Sequence, residues 1–418
     1  MNISVFPARL SGTIPAIASK SDAHRRLILA AFADAPTTFS LVGGSDDIRA
    51  TVNCIEALGA QIRRDKNELT VIPGSPVKEA CLFADESGST LRFLLPVAMA
   101  KCEKAHFSGA GRLPERPLTH LISAMKAGGT VFSGEKLPLT AAGKMKSGVF
   151  TVPGNISSQY VTGLLMALPF LSGDSEIVVE GELASKAYVD ITLSTMRDFD
   201  LTVHATKTGY IVPGNQTPRS KGHMHIEGDW SNAAFFLAAG AISQKPVTVT
   251  GLSIDSPQGD KAILELLEKF GAKVEITENA VSVSGGNLSG CEIDIDKTPD
   301  LIAPLGVAAA YSRGKTVFYN GARLRIKESD RIETMKKLIL SLGGQAEETK
   351  DTLTVYGTGA LPGGTADGAN DHRIVMAAAI AGSASENGAR ILGAEAVNKS
   401  YPGFFEDFNL AGGNANVI

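Results

Sequence analysis

Apolar and polar positions along this chain alternate in a pattern that returns about every 70 residues, the mark of an internal repeat. One unit reads as an amphipathic helix, a small-residue stop and two short alternating strands. It is seen at residues 55–62 with a strand at 69–71, at 125–131, at 266–274 with a strand at 280–283, and at 339–344 with a strand at 352–355. A weaker copy at 196–203 lacks the glycine of the others, and a truncated copy at 408–413 lies near the end of the sequence. The glycines Gly59, Gly271 and Gly343 suit a helix C-terminus, which commonly ends in a left-handed residue. Six copies fill the sequence.

Each copy carries a second helix with a polar start and an Ala/Leu-rich body. These starts are Ser21-Asp22-Ala23-His24, Ser87-Gly88-Ser89-Thr90, Ser157-Ser158-Gln159, Asp229-Trp230-Ser231-Asn232, Pro299-Asp300 and Asn370-Asp371-His372-Arg373. Bodies such as Gly306-Val307-Ala308-Ala309-Ala310 are apolar all round, which predicts helices buried on every side. An apolar strand follows, clearest at 177–180, 247–250 and 316–319, and residues 1–7 read as an opening strand. Two helices and several short strands per copy predict an α/β protein with sheets packed around buried helices, and three copies per domain would make two similar domains.

Composition narrows the class. The 418 residues carry a net charge of −4, with 44% hydrophobic and 20% charged residues. An acidic chain argues against general nucleic-acid binding, which wants a basic surface. No apolar run approaches the roughly 18 residues of a membrane span, and the start does not read as a signal or transit segment. Cys54, Cys81, Cys102 and Cys291 have no metal-ligand spacing and read as buried thiols of a reducing compartment. These features together predict a cytoplasmic protein.

The candidate chemistry sits at the polar helix starts. Lys20, Ser21 and Arg25 fall at or just inside a helix N-terminus, where unpaired N–H groups and the positive dipole pole attract anions. Further cations stand in Gly111-Arg112-Leu113-Pro114-Glu115-Arg116-Pro117, in the stretch from Arg323 to Arg331, in Asn370-Asp371-His372-Arg373 and in Asn398-Lys399-Ser400-Tyr401-Pro402-Gly403. Singly, each has an ordinary role. Ser157-Ser158 and Asp300 suit N-caps, His372 a structural imidazole, and Arg112 and the 323–331 run solvated charges. Their recurrence at one place in successive copies favours cations converging on phosphates or carboxylates. Phosphate-loop, dinucleotide, nucleophile-elbow and metal-ligand motifs are absent, so the expected chemistry uses no cofactor and no metal.

These stretches resemble the 3-phosphoshikimate 1-carboxyvinyltransferase (enolpyruvylshikimate-phosphate synthase) family over essentially the whole chain. The motifs carrying the resemblance are Lys20-Ser21 with Arg25, Ser87-Gly88-Ser89-Thr90-Leu91-Arg92, Glu115-Arg116-Pro117, Ser157-Ser158-Gln159, Ser185-Lys186-Ala187-Tyr188, Pro299-Asp300, Lys327-Glu328-Ser329-Asp330-Arg331, Asn370-Asp371-His372-Arg373 and Lys399-Ser400-Tyr401-Pro402. The resemblance implies an inverse α/β barrel fold with three βαβαββ-type repeats in each domain. Residues 1–18 would join 227–418, residues 19–226 would form the other domain, and the active site would lie in the cleft between them. It implies transfer of the enolpyruvyl group of phosphoenolpyruvate to the 5-hydroxyl of shikimate 3-phosphate by a monomer, with glyphosate as inhibitor. Lys20, Ser21, Arg25, Ser157, Ser158, Gln159, Ser185, Tyr188, Asp300 and Lys327 would hold shikimate 3-phosphate. Lys20, Gly88, Arg116, Gln159, Arg331, His372, Arg373 and Lys399 would hold phosphoenolpyruvate. Asp300 would take the hydroxyl proton, and Glu328 or Lys20 would protonate the methylene carbon. Where the family commonly has an asparagine that contacts the shikimate, this chain has Arg323, which either replaces it or points away. Two rivals remain: a sister enolpyruvyl transferase acting on UDP-N-acetylglucosamine, which usually has Lys-Asn in place of Lys20-Ser21, and a non-catalytic polyanion- or RNA-binding module built on related repeats.

Overall fold

The computed structural model describes residues 1–40, 44–66, 68–243 and 245–418. The described residues form twelve helices: α1 (Lys20–Ala30), α2 (Asp46–Ala57), α3 (Gly88–Lys101), α4 (Thr119–Ala127), α5 (Ser158–Ala167), α6 (Lys186–Asp198), α7 (Trp230–Ile242), α8 (Ile263–Phe270), α9 (Ile302–Ala310), α10 (Arg331–Ser341), α11 (His372–Ala384) and α12 (Phe404–Leu410). Odd-numbered helices are the Ala/Leu-rich ones and even-numbered helices the amphipathic ones. The polar starts do cap: Ser87 accepts from Thr90 N at 3.2 Å, Ser157 from Gln159 N at 3.3 Å and Asp229 from Asn232 N at 2.7 Å. At α11 the cap is Asp371, accepting from Arg373 N at 3.0 Å. Each cap satisfies a donor the helix cannot satisfy itself.

The repeat is visible in six four-stranded sheets. In one, Glu79–Phe83 runs parallel to Lys104–Ser108 with α3 as the crossover, and Leu139–Ala142 pairs antiparallel with Lys104–Ser108 and with Val131–Phe132 at the edge. The sheets that begin with Val149–Pro153 and Glu292–Asp294 follow the same order. Three copies borrow a strand from elsewhere. Gly12–Pro15 precedes α1 in sequence yet pairs with Val247–Thr250, and His223–His225 precedes α7 yet pairs with Thr37–Ser40. The truncated last copy is completed by Ile3–Val5, which lies between Ala389–Leu392 and Ala415–Val417.

This exchange divides the chain into a discontinuous unit, Met1–Ser19 with Glu227–Ile418, and a continuous unit, Lys20–Ile226. In the discontinuous unit α7, α9 and α11 pack on one another, and every residue of α9 is buried. In the continuous unit α5 packs tightly on α3. A Cβ at Gly163 would stand 2.3 Å from the Arg92 carbonyl oxygen, so only glycine permits the approach.

The helix stops take the expected left-handed form, with φ of 105° at Gly59, 103° at Gly271 and 84° at Gly343. In the copy without glycine Asp200 supplies it, with φ 56°, a conformation aspartate tolerates through its short polar side chain. The cysteines depart from expectation. Cys54 and Cys102 are buried, but Cys291 is half-buried and Cys81 is exposed. Cys81 sits on the outward side of Glu79–Phe83, whose residues alternate exposed and buried, so strand periodicity and not residue type sets its exposure. No helix among the described residues is long and apolar enough to cross a membrane.

Candidate active site

In the continuous unit the polar residues gather at helix starts in two groups. The first joins α1 to α6. Lys20 Nζ is 2.7 Å from Asp47 Oδ2. Arg25 is buried under α1, donating from Nε to Thr192 Oγ1 at 2.8 Å, from Nη2 to the Tyr188 carbonyl at 2.8 Å and from Nη1 to the Ser21 carbonyl at 2.5 Å. Its guanidinium carbon lies 4.9 Å from the centre of the Phe93 ring. Burial pulls its pKa down to about 10, with Asp22 opposing, so it remains charged at neutral pH. Ser185, left-handed at φ 54°, stands immediately before α6.

The second group surrounds Gly88. Arg92 Nη1 donates to Gln159 Oε1 at 2.9 Å and Nη2 to the Pro117 carbonyl at 3.1 Å, while Gln159 Nε2 donates to Ser89 Oγ at 3.0 Å. A Cβ on Gly88 would fall 2.5 Å from Arg116 Nη1 and 2.7 Å from Arg92 Nη1. Two guanidinium groups therefore lie directly against a position that carries no side chain. Ser157 and Ser158 start α5 just ahead of Gln159; Ser157 is occupied as its N-cap, and Ser158 is buried.

In the discontinuous unit one buried cluster is organised by Arg331, only 1% exposed. Its three nitrogens reach three carboxylates: Nε to Asp371 Oδ2 at 2.9 Å, Nη1 to Asp300 Oδ1 at 2.7 Å and Nη2 to Glu328 Oε2 at 2.6 Å. Arg373 Nη2 donates to Asp300 Oδ2 at 3.0 Å, and Lys327 Nζ lies 3.8 Å from Asp300 Oδ1. Burial pushes the Asp300 carboxyl up, but the charges of Arg373, Lys327 and Arg331 outweigh it and hold the group well below the usual carboxylate range. Burial likewise lowers Lys327, with the Asp300 charge opposing. His372 is buried, its Nδ1 3.9 Å from Asp371, and Lys399 Nζ donates to the Asn370 carbonyl at 2.6 Å.

Arg323 is turned to its own partner, donating to Asp296 Oδ1 at 2.7 Å and to the Asp296 carbonyl at 2.9 Å. Arg325 is a structural cation held by Asp330 and Glu348. Asp300 is not a helix cap: Thr298 holds that position for its short 3-10 turn, with no side-chain capping bond. Residue-by-residue reading missed Asp47, Arg92, Asp371 and Asp260 as members of these clusters. Asp371 and Arg92 lie inside recognised stretches, but their roles follow from pairings over long chain separations. Among the described residues no group of His, Cys, Asp and Glu has the arrangement of a metal site.

Asp260 carries a pH signature. It is buried against the Ser231 hydroxyl, and burial first and the Asp300 charge second push its carboxyl up to about 6. The folded state then binds the proton more tightly than the unfolded chain, so a destabilising contribution builds as pH rises from about 4 to 6 and is complete above. Asp260→Asn is expected to stabilise the fold by about 1–3 kcal/mol near pH 7.5 and to change little near pH 4. Urea titrations at both pH values check this; equal shifts at the two would refute it.

Fold and clusters together define an α/β protein of six repeats with buried clusters of guanidinium and carboxylate groups. The sequence profile of the family described as EPSP synthase (3-phosphoshikimate 1-carboxyvinyltransferase) matches residues 6–408. The 3-phosphoshikimate 1-carboxyvinyltransferase of Clostridium kluyveri is 41% identical over 416 residues, spanning 98% of this chain and 97% of that protein. That of Clostridium novyi is 38% identical over 426 residues, spanning 99% and 98%. A solved EPSP synthase from Acinetobacter baumannii shares the fold, with TM-score 0.82 over 100% of both chains at 24% identity. The chain belongs to the EPSP synthase family and is a transferase of the shikimate pathway, which serves aromatic amino-acid biosynthesis.

Proposed function

We propose that this chain catalyses the reaction in which the 5-hydroxyl of shikimate 3-phosphate adds to phosphoenolpyruvate and phosphate then leaves. The observation that carries this reading is Asp300, an ionised carboxylate set between Arg331 and Arg373, with Glu328 on the same Arg331. Lys20, Ser21, Arg25, Ser157, Ser158, Gln159, Ser185, Tyr188, Asp300 and Lys327 hold shikimate 3-phosphate. Lys20, Gly88, Arg116, Gln159, Arg331, His372, Arg373 and Lys399 hold phosphoenolpyruvate. Planar guanidinium forks suit the carboxylate and phosphate, and they offset the mutual repulsion of two polyanions.

The carboxylates now on Arg331 and Arg373 act as internal stand-ins for substrate anions. When phosphoenolpyruvate takes part of that positive charge, Asp300 is released from the groups that depress its pKa and becomes a better base. The hydroxyl oxygen then bonds to C2 of phosphoenolpyruvate, its proton passes to Asp300, and C3 receives a proton from Glu328 or Lys20. Elimination returns the C3 proton and breaks the C2–O bond to phosphate. Fixed donors around the tetrahedral intermediate lower the barrier because they need no reorganisation. A phosphate-release assay with phosphoenolpyruvate tests the reading: turnover is expected with shikimate 3-phosphate and not with UDP-N-acetylglucosamine, and the reverse preference would overturn it.

One chain supplies every residue named, so a monomer suffices.

Glyphosate is expected to inhibit by competing with phosphoenolpyruvate. Gly88→Ala should resist it, because the new methyl must displace Arg116 or Arg92, and Arg92 is held by Gln159 and the Pro117 carbonyl. Overpacking of this kind costs about 1–3 kcal/mol, or about ten- to a hundredfold in affinity. Inhibitor titration of both proteins decides; equal sensitivity would show that Gly88 does not shape the pocket.

A further inference from the structure

His24 lies one turn into α1, wholly buried, and has no part in the chemistry above. Its Nδ1 is 2.7 Å from Thr51 Oγ1, and that oxygen is 2.7 Å from Thr90 Oγ1. Thr90 Oγ1 is in turn 2.8 Å from Ser87 Oγ and 3.4 Å from the Asp47 carbonyl. All four side chains are buried. His24 Nε2 has no hydrogen-bond partner in this dry setting. A buried unpaired N–H is disfavoured more than an under-used acceptor lone pair, so the ring proton belongs on Nδ1. Nδ1–H donates to Thr51, Thr51 donates to Thr90, and Thr90 donates to Ser87 or to the Asp47 carbonyl. Burial, then the charges of Lys20 and Arg25, hold the imidazole pKa well below its usual value and keep the ring neutral.

This chain ties three helix starts together. It enters from α1 at His24, crosses α2 at Thr51 and Asp47, and ends on α3 at Thr90 and its cap Ser87. The Asp47 side chain holds Lys20, and Ser87 directly precedes Gly88. The His24 ring also meets Phe93 edge-on, at 6.2 Å and 88°, and Phe93 is the ring beneath Arg25.

We propose that His24 is a positioning residue, which orders the buried hydroxyl chain and through it sets Lys20 and the Gly88 turn for phosphoenolpyruvate. This rests on the assignment of Lys20 and Gly88 to that substrate. His24→Leu is expected to raise KM for phosphoenolpyruvate about tenfold, the equivalent of one lost hydrogen bond, with kcat changed far less. His24→Asn, whose amide nitrogen donates from near the Nδ1 position, should restore KM to within about threefold of the native value. Thr51→Val should match the leucine variant, and the double variant should be no worse than either, because both cut one chain. A merely structural role would lower Tm and leave KM unchanged below the transition. Native KM in folded His24→Leu, or multiplying effects in the double variant, would overturn the proposal. Should the leucine variant not fold, Thr51→Val with the asparagine variant decides in the same way. Lys20→Met separates the levels: if its KM is also native, the Lys20 assignment has failed and the proposal with it; if its KM rises while that of His24→Leu does not, the proposal alone has failed.

Discussion

Asp300→Ala is expected to lose at least about a hundredfold in turnover, the lower range for removal of a general base. The carboxylate is the common partner of Arg331, Arg373 and Lys327, so its removal also takes one negative charge from each of the three cations. Those cations remain able to bind anions, and KM for phosphoenolpyruvate should therefore change less than kcat. Asp300→Asn refines the test, since it keeps the shape and removes the proton acceptor. Single-turnover measurements separate chemistry from product release. Turnover near the native value in either variant would remove Asp300 from the role of base.

Arg331→Leu is expected to destabilise the fold by about 3–5 kcal/mol at neutral pH, the range for breaking a buried ion pair on one side. The side chain is 1% exposed, and its removal leaves Asp371, 0% exposed, beside Asp300 and Glu328 without their shared cation. In the native protein burial pushes Asp371 up, and the Arg331 charge more than offsets this and holds it below its ordinary value. Asp371 and Asp300 therefore contribute stability above the unfolded carboxylate pKa, and this is lost as pH falls through their lower folded values. The leucine variant should behave oppositely. Asp371, buried without its guanidinium, has a raised pKa there, so the deficit is full at pH 7 and shrinks toward about pH 5 as it takes up a proton. Urea unfolding at the two pH values provides the check. A loss under about 1 kcal/mol at pH 7 would show that the carboxylates are relieved some other way.

Much of the local architecture was legible because it depends on neighbours in the chain. The caps at Ser87, Ser157 and Asp229 need only the next turn of helix, and the stops at Gly59, Gly271 and Gly343 need only a residue free to adopt positive φ. The weak copy at 196–203 shows the limit of that logic, since Asp200 does the work of the missing glycine. The candidate site was read chiefly through motif resemblance. The pairings of Lys20 with Asp47 and of His24 with Thr51 were not legible, because a histidine in an apolar helix and an acid in a first turn are both commonplace.

The sequence by itself determined that helices and strands recur in six copies, that the odd-numbered helices would be buried, and that polar and charged residues would open several of them. Period, capping and composition are local properties, and they survive whatever the rest of the chain does. Only the tertiary structure decided which strand completes which sheet. Ile3–Val5 fills a place between strands at the other end of the chain, and Gly12–Pro15 and His223–His225 pair away from the helices they precede. Only it decided that Arg331 would meet Asp300 and Asp371, 31 and 40 residues away, and that Arg373 would reach Asp300 across 73. The reason is physical. A lone arginine in a sequence is most simply solvated, and what makes burial tolerable is a set of carboxylates brought to it by the packing of other helices.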